Sequence, residues 1–506
     1  MSSKILSSAI TGLSGAIVEV EVDVLSSGLH AVTIVGLPGT SVKESRDRVS
    51  SALKNSGFKP PHQCGRITVN LAPADLQKSS PIYDVPIAVG FLVATGQLVF
   101  DVKDKLFVGE LALNGDVRGI NGVLSITLSA KEFGIKEIYV PEANIDEAAI
   151  VDGIDVIGVK DLRGLILHLS GQEVLTAVEH KDLVVEEASF PSHLDFKYIK
   201  GHEHAKRALE IAAAGGHNII FHGPPGSGKT LLAKTFVTIL PLLNKKEILD
   251  ITKIYSVAGQ LPHNEQVIHT RQFRCPHHSS SAVSLIGGGS NPKPGEITLA
   301  HRGVLFLDEF AEFPRVVLEN LRQPLEDGTI TIARAQASTT FPANFTLIAA
   351  MNPCPCGFAT DNNKECTCAP SQIARYSQKI SGPILDRIDM HIDVPRIHIN
   401  KLDNNDLAEN SASIRNRVES ARAMQDKRFG KLGTINAEMN QLDIKKYCAL
   451  DKESKDLLRN AAEKLDLSAR AYYRMIKLAR TIADLEGSEQ ISKNHIAEAL
   501  QYRPKV

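Results

Sequence analysis

The chain has 506 residues, 43% apolar and 23% charged, which is ordinary for a globular protein and too long for one core, so about three domains are expected. A formal net charge of −1 excludes a basic field drawing the whole chain to nucleic acid, and any such contact must come from local patches. There is no apolar run of about 18 residues, no signal-like leader, and no disulfide framework in seven cysteines of which four are bunched; the expectation is a cytoplasmic chain with no membrane partner.

Along residues 1–170, segments 16–24, 31–36 and 66–71 alternate or run apolar as strands do, among helical stretches, and predict an α+β domain. Residues 171–197 are polar and charged and read as a linker. Residues 198–399 carry the nucleotide motifs and predict an α/β core. Residues 400–506 are rich in Ala, Leu, Lys, Glu and Asp with a 3.6-residue period, and predict an all-helical domain.

Residues 223–230 read Gly223-Pro224-Pro225-Gly226-Ser227-Gly228-Lys229-Thr230, the full phosphate-loop pattern. A short apolar run precedes it and a helical run follows. Glycines let successive N–H groups face a polyphosphate, and the helix start adds partial positive charge. Lys229 is expected to reach the β- and γ-phosphates, and Thr230 to offer its hydroxyl to Mg²⁺. The strand-like 303–307 ends in Asp308 and Glu309: one carboxylate for Mg²⁺, one to polarise the attacking water. A third apolar run ends at Asn352, a polar tip that can orient this water. The expected cofactors are ATP and Mg²⁺. Arg387 stands between Asp386 and Asp389, and spacing alone reads it as a salt-bridging residue.

Cys354-Pro-Cys356 and Cys366-Thr-Cys368 place four thiols within fifteen residues. Two such pairs can hold Zn²⁺, although the usual pair leaves two residues between its cysteines and these leave one; free loop cysteines are the alternative. Cys275-Pro-His277-His278 reads as structural or substrate-facing.

Further segments carry a resemblance. Residues 198–208 resemble the adenine-side segment of an AAA+ ATPase, and 285–296 the insert before the acidic strand in magnesium-chelatase-like AAA+ proteins. Pro324-Leu-Glu-Asp-Gly328 onward to Arg334 resembles their β-hairpin insert, and 468–474 a helical-lid segment whose arginine touches the nucleotide from above. Together these resemble the ComM/YifB family of magnesium-chelatase-like AAA+ ATPases over nearly the whole chain. The resemblance implies that Arg387 is a finger acting on the next subunit and Arg470 the lid sensor, with Arg474 one turn on as the competing choice. It implies a homo-oligomeric, hexameric ring that migrates branched DNA during transformation and recombination, with Gly287, Gly288, Lys293 and Arg334 as pore contacts to single strands. Two other readings stay open: a magnesium-chelatase-type motor subunit, and a protein-remodelling regulator. Against the latter, 285–289 offers no aromatic pore residue.

Residues 66–165 resemble the proteolytic domain of Lon, of the ribosomal S5 domain 2-like fold. Alignment by eye puts Ile82 at its serine and Leu124 at its lysine. No nucleophile–base pair remains, unless Lys78, Ser79 and Ser80 supply one through a shifted alignment. A scaffold, partner or nucleic-acid platform is the expectation.

Overall fold

In this computed structural model the described residues are 2–25, 31–78, 80–185, 190–262, 266–289, 292–333, 338–361, 364–397 and 408–503. The first unit is an eight-stranded mixed sheet. Its strand order is Ala177–Val178, Asp155–Val159, Glu137–Pro141, Lys105–Phe107, Ser2–Thr11, Ser14–Leu25, Arg66–Ala72, Ala31–Val35. Along Ser14–Leu25 the alternation has its expected result: Val18, Val20 and Val22 are buried against helix Asp84–Ala94 and helix Val123–Glu132. Helix Asp84–Ala94 is apolar on nearly every side because it is enclosed. Its buried first residue, Asp84, is held by Arg48 Nε at 2.6 Å and the Leu111 N–H at 3.1 Å, so no charge is left uncompensated. Ala177–Val178 pairs with Val156 and Ile157, so the stretch read as a linker contributes an edge strand through its backbone, which polarity of sequence does not reveal.

The second sheet has five strands, all parallel: Phe273–Arg274, Val304–Leu307, Thr346–Met351, Ile219–His222 and Met390–Asp393. Its three central strands are buried on both faces, as continuous apolar runs require in a covered parallel sheet. A helical region follows. Helix Ala469–Leu485 packs on helix Ser411–Phe429 and on helix Glu203–Gly215 below it. Arg428 and Arg480 share the buried carboxylate of Asp484 there. No described helix is long and apolar enough to cross a membrane.

The N-terminal unit is docked on the core that holds the five-stranded sheet. Leu13, at the turn between the first two strands, packs into two of the core's apolar clusters. Leu124, Leu128, Ile150, Val151, Leu249 and Val267 form a small cluster across the junction. At its centre Glu147 is buried. It accepts from the Leu124 N–H at 2.7 Å, from Asn144 at 3.3 Å and from the hydroxyl of Ser256, on the core's helix Lys245–Ala258. Burial raises the Glu147 pKa, and these donors oppose the rise.

Glu147→Ala leaves buried donors on both sides of the junction unpaired, and a loss of about 2–4 kcal/mol in unfolding free energy is expected. Chemical denaturation of Glu147→Ala, Ser256→Ala and the double variant measures it. The pair should be markedly less than additive, and strict additivity would show that the two side chains do not interact.

Candidate functional site

Residues 223–228 curl around the end of strand Ile219–His222, with Gly226 at φ +76° and Gly228 at φ +88°, left-handed values closed to most side chains. Helix Lys229–Thr235 starts at once. Lys229 Nζ folds back on the loop, donating to the carbonyls of Gly223 at 2.7 Å and Pro224 at 2.9 Å, and lies 3.4 Å from Asn352 Oδ1. Burial lowers its pKa, and Asp308 opposes this. Thr230 Oγ1 donates to Asp308 Oδ2 at 2.9 Å. The buried Ser227 hydroxyl has no hydrogen-bond partner among the described residues. Beside the loop a cavity of about 600 Å³ is lined by Tyr198, Ile199, His202, Leu231, Leu232 and Ile397. A cavity of mixed apolar and basic lining, which Lys200 and Arg396 share, set against the glycine-rich loop and an orphaned hydroxyl, fits a nucleotide. ATP would lie with its base there and its phosphates on residues 223–229, and Thr230 and Asp308 would hold Mg²⁺.

Glu309 takes φ +51°, and its N–H donates to Asp308 Oδ1 at 2.9 Å. Its carboxylate points to solvent and meets His278 Nδ1 at 3.1 Å. His278 is braced by His277, ring centroids 4.1 Å apart, and edge-on by Phe313. Sequence reading noticed the Cys-Pro-His-His run but could not give it this partner, 31 residues away.

The four cysteines converge. Their sulfurs lie within 4.8 Å of one another, with Cys354–Cys356 at 3.3 Å, Cys354–Cys366 at 3.7 Å and Cys356–Cys366 at 3.5 Å; Cys368 Sγ accepts from the Cys356 N–H. An ion bound by four thiolates at about 2.3 Å would have sulfur–sulfur edges of about 3.8 Å, so the donor set fits a tetrahedral metal. The Phe358 N–H, chief among several donors, draws the Cys356 thiol well below its usual range. This cluster leans on the phosphate loop. A Cβ on Gly357 would meet Pro225 Cδ at 2.7 Å. Arg396 pairs with Asp361 at 3.1 Å, donates to the Pro225 carbonyl at 3.2 Å and covers the Phe358 ring at 5.5 Å.

The arginines stand elsewhere. Asn218, at the opposite end of strand Ile219–His222, donates to the Arg387 carbonyl at 3.2 Å, and its N–H donates to Asp389 at 3.0 Å. Arg387 and Arg470 both pair with Glu326. Arg474 donates to the Ile388 carbonyl and lies 3.6 Å from Asp386. All three line one cavity of about 720 Å³ under the helical region. Helix Ala469–Leu485, which carries Arg470 and Arg474, thus meets the sheet at the ends of its strands opposite the phosphate loop, one strand length away, roughly 13 Å for four residues.

Gly287–Gly288 pairs antiparallel with Lys293–Pro294, and Lys293 is exposed. This small hairpin shares a cavity of about 480 Å³ with Ile82, Tyr83, Ser80 and Asn121 of the N-terminal unit. Arg334, Ser79 and Ser290 lie outside the described residues. Ile82 and Leu124 are both buried aliphatics, and Lys78 is buried with its ammonium on the Pro73 carbonyl.

A five-stranded parallel sheet with a phosphate loop, an acidic strand end and a polar third strand tip, backed by a helical region, defines an ATP-binding domain of the AAA+ class. The description "Magnesium chelatase, subunit ChlI" matches residues 195–402, "Subunit ChlI of Mg-chelatase" residues 20–144, and the subunit ChlI C-terminal description residues 408–503. The chain is 46% identical over 510 residues to Competence protein ComM of Haemophilus influenzae, covering 99% of this chain and 97% of that one. It is 42% identical over 497 residues to YifB of Escherichia coli, covering 98% and 96%. Over 170 residues it is 27% identical to Lon protease 2 of Bacillus subtilis, covering 30% of each. The chain belongs to the ComM/YifB family of magnesium-chelatase-like AAA+ ATPases.

Lys229→Ala is expected to abolish binding of a fluorescent ATP analogue. Glu309→Gln should bind it normally and lose about 10²-fold or more in hydrolysis. Unchanged turnover in Glu309→Gln would remove Glu309 as the water-polarising base.

Proposed function

We propose that this chain is the subunit of an ATP-hydrolysing ring that drives branched DNA during uptake and recombination. The observation that carries the ring is the division of the site between two sheet edges. Phosphate loop, Asp308, Glu309 and Asn352 stand at one edge and Arg387, Arg470 and Arg474 at the other, so a chain cannot close its arginines on its own phosphates. A neighbour stacked edge to edge can, with Arg387 as finger and Arg470 or Arg474 beside it, stabilising charge on the transferred phosphoryl group. Repeated, this heterologous contact closes a ring, taken here as a hexamer. DNA as substrate is supported by the near full-length likeness to a competence protein. It is also supported by a glycine hairpin carrying Lys293 and no aromatic, which suits phosphates better than peptide side chains.

Hydrolysis by the purified protein should rise with single-stranded DNA, fall away steeply with salt, and power migration of a synthetic branched junction. Arg387→Ala should keep nucleotide binding and lose hydrolysis. Mixed with Glu309→Gln subunits it should regain part, because each contributes what the other lacks. Stimulation by an unfolded polypeptide and not by DNA would replace this reading with protein remodelling.

The four-cysteine cluster, on this reading, holds a structural zinc that braces the phosphate loop. Metal analysis of protein purified without chelator should find about one Zn²⁺ per chain. Four freely titrating thiols and no zinc would refute the site.

The N-terminal unit serves as a fixed platform and not a peptidase. Incubation with an unfolded protein should give no cleavage; cleavage lost on changing Ser79 or Ser80 would overturn this.

A further inference from the structure

The nucleotide chemistry leaves Glu326 unused, yet its position is unusual. A single oxygen, Oε1, accepts from Arg470 Nη2 at 2.8 Å and pairs with Arg387 Nη2. Arg387 has little else to bind: Nη1 donates to the Pro383 carbonyl at 2.5 Å, and Nε is buried without a partner among the described residues. Arg387, through its hydrogen bond, holds the Glu326 carboxyl below its usual range, so the acid stays charged between the two cations.

Glu326 also belongs to a lever. It lies on the short helix Arg322–Asp327, which passes through Gly328 at φ +63° into the hairpin of strands Thr329–Ala333 and Ser338–Pro342. On the same helix the exposed Gln323 grips the hairpin twice. Its Nε2 donates to Thr331 Oγ1 at 3.2 Å, and its Oε1 accepts from the Thr331 N–H at 3.3 Å. A load that shifts the hairpin therefore shifts the helix, and with it the acid.

We propose that Glu326 is a positioning residue that withholds Arg387 and Arg470 until the paired strands Thr329–Ala333 and Ser338–Pro342 are loaded, and then cedes them to the nucleotide phosphates of the neighbouring subunit. The proposal rests on the ring-motor reading above. The exchange breaks no covalent bond. The Glu326 side chain is 42% exposed and that of Arg387 11%, so water reaches the acid more than the guanidinium, and a polyphosphate offers the arginine more charge and more acceptor oxygens than one carboxylate does.

The test uses the full-length protein and its steady-state ATPase without and with single-stranded DNA. Glu326→Gln should raise the DNA-free kcat about 5-fold or more without changing KM, and DNA should then add little. The rise should vanish in Glu326→Gln/Arg387→Ala, because the acid acts through that arginine. Gln323→Ala should keep the low DNA-free rate and lose most of the stimulation. An unchanged DNA-free rate in Glu326→Gln, or equal loss with and without DNA, overturns the latch. If Glu326→Gln does not assemble, Glu326→Asp, which keeps the charge and shortens its reach, is judged by the same two outcomes. A wild type that DNA does not stimulate defeats the DNA reading alone, while the DNA-free rate of the Glu326 variant still decides the latch.

Discussion

One strand length separates the two halves of this protein's chemistry. In a parallel sheet every strand presents its carboxyl end at the same edge, so residues 223–230, 308–309 and 352 gather there without further instruction. Residues preceding the strands gather at the other edge for the same reason, and Asn218 and Arg387–Asp389 are among them. The helical region takes that second edge as its seat. Much else follows from this geometry, including the charged cavity beneath the helices.

Around the nucleotide edge the supports are unusually varied. Thiols, a guanidinium and an aromatic ring stand behind Pro225, and a histidine stands in front of Glu309. The N-terminal unit adds a different kind of support. It is joined by apolar packing about a buried carboxylate rather than by a flexible tether, so its cleft residues Ile82 and Tyr83 face the Gly287–Gly288 hairpin at close quarters.

What the sequence made legible is what is local. The phosphate loop fixes its own conformation through Gly226 and Gly228. The alternation of residues 16–24 marks a half-buried strand, and two closely spaced cysteine pairs come together in space. Contacts across long separations were not legible, because tertiary packing alone brings them about. His278 meets Glu309, Glu326 meets Arg470, and Glu147 meets Ser256 with nothing in the intervening residues to announce it. The edge on which Arg470 falls belongs to this group: helical spacing aligned it with Arg474 but could not say which end of the sheet the helix would cover. Ala177–Val178 shows the converse, a polar neighbourhood whose backbone completes a ladder.

Glu309 sits in the left-handed region, where a side chain other than glycine costs about 1–2 kcal/mol of backbone strain. The main chain thus sets where its Cα–Cβ bond points, with Phe310 buried immediately behind it, while His278 Nδ1 at 3.1 Å meets the carboxylate at the far end of the side chain. The strain held at that one residue fixes where its side chain begins, so the turn between Asp308 and Phe310 cannot relax without moving that starting point.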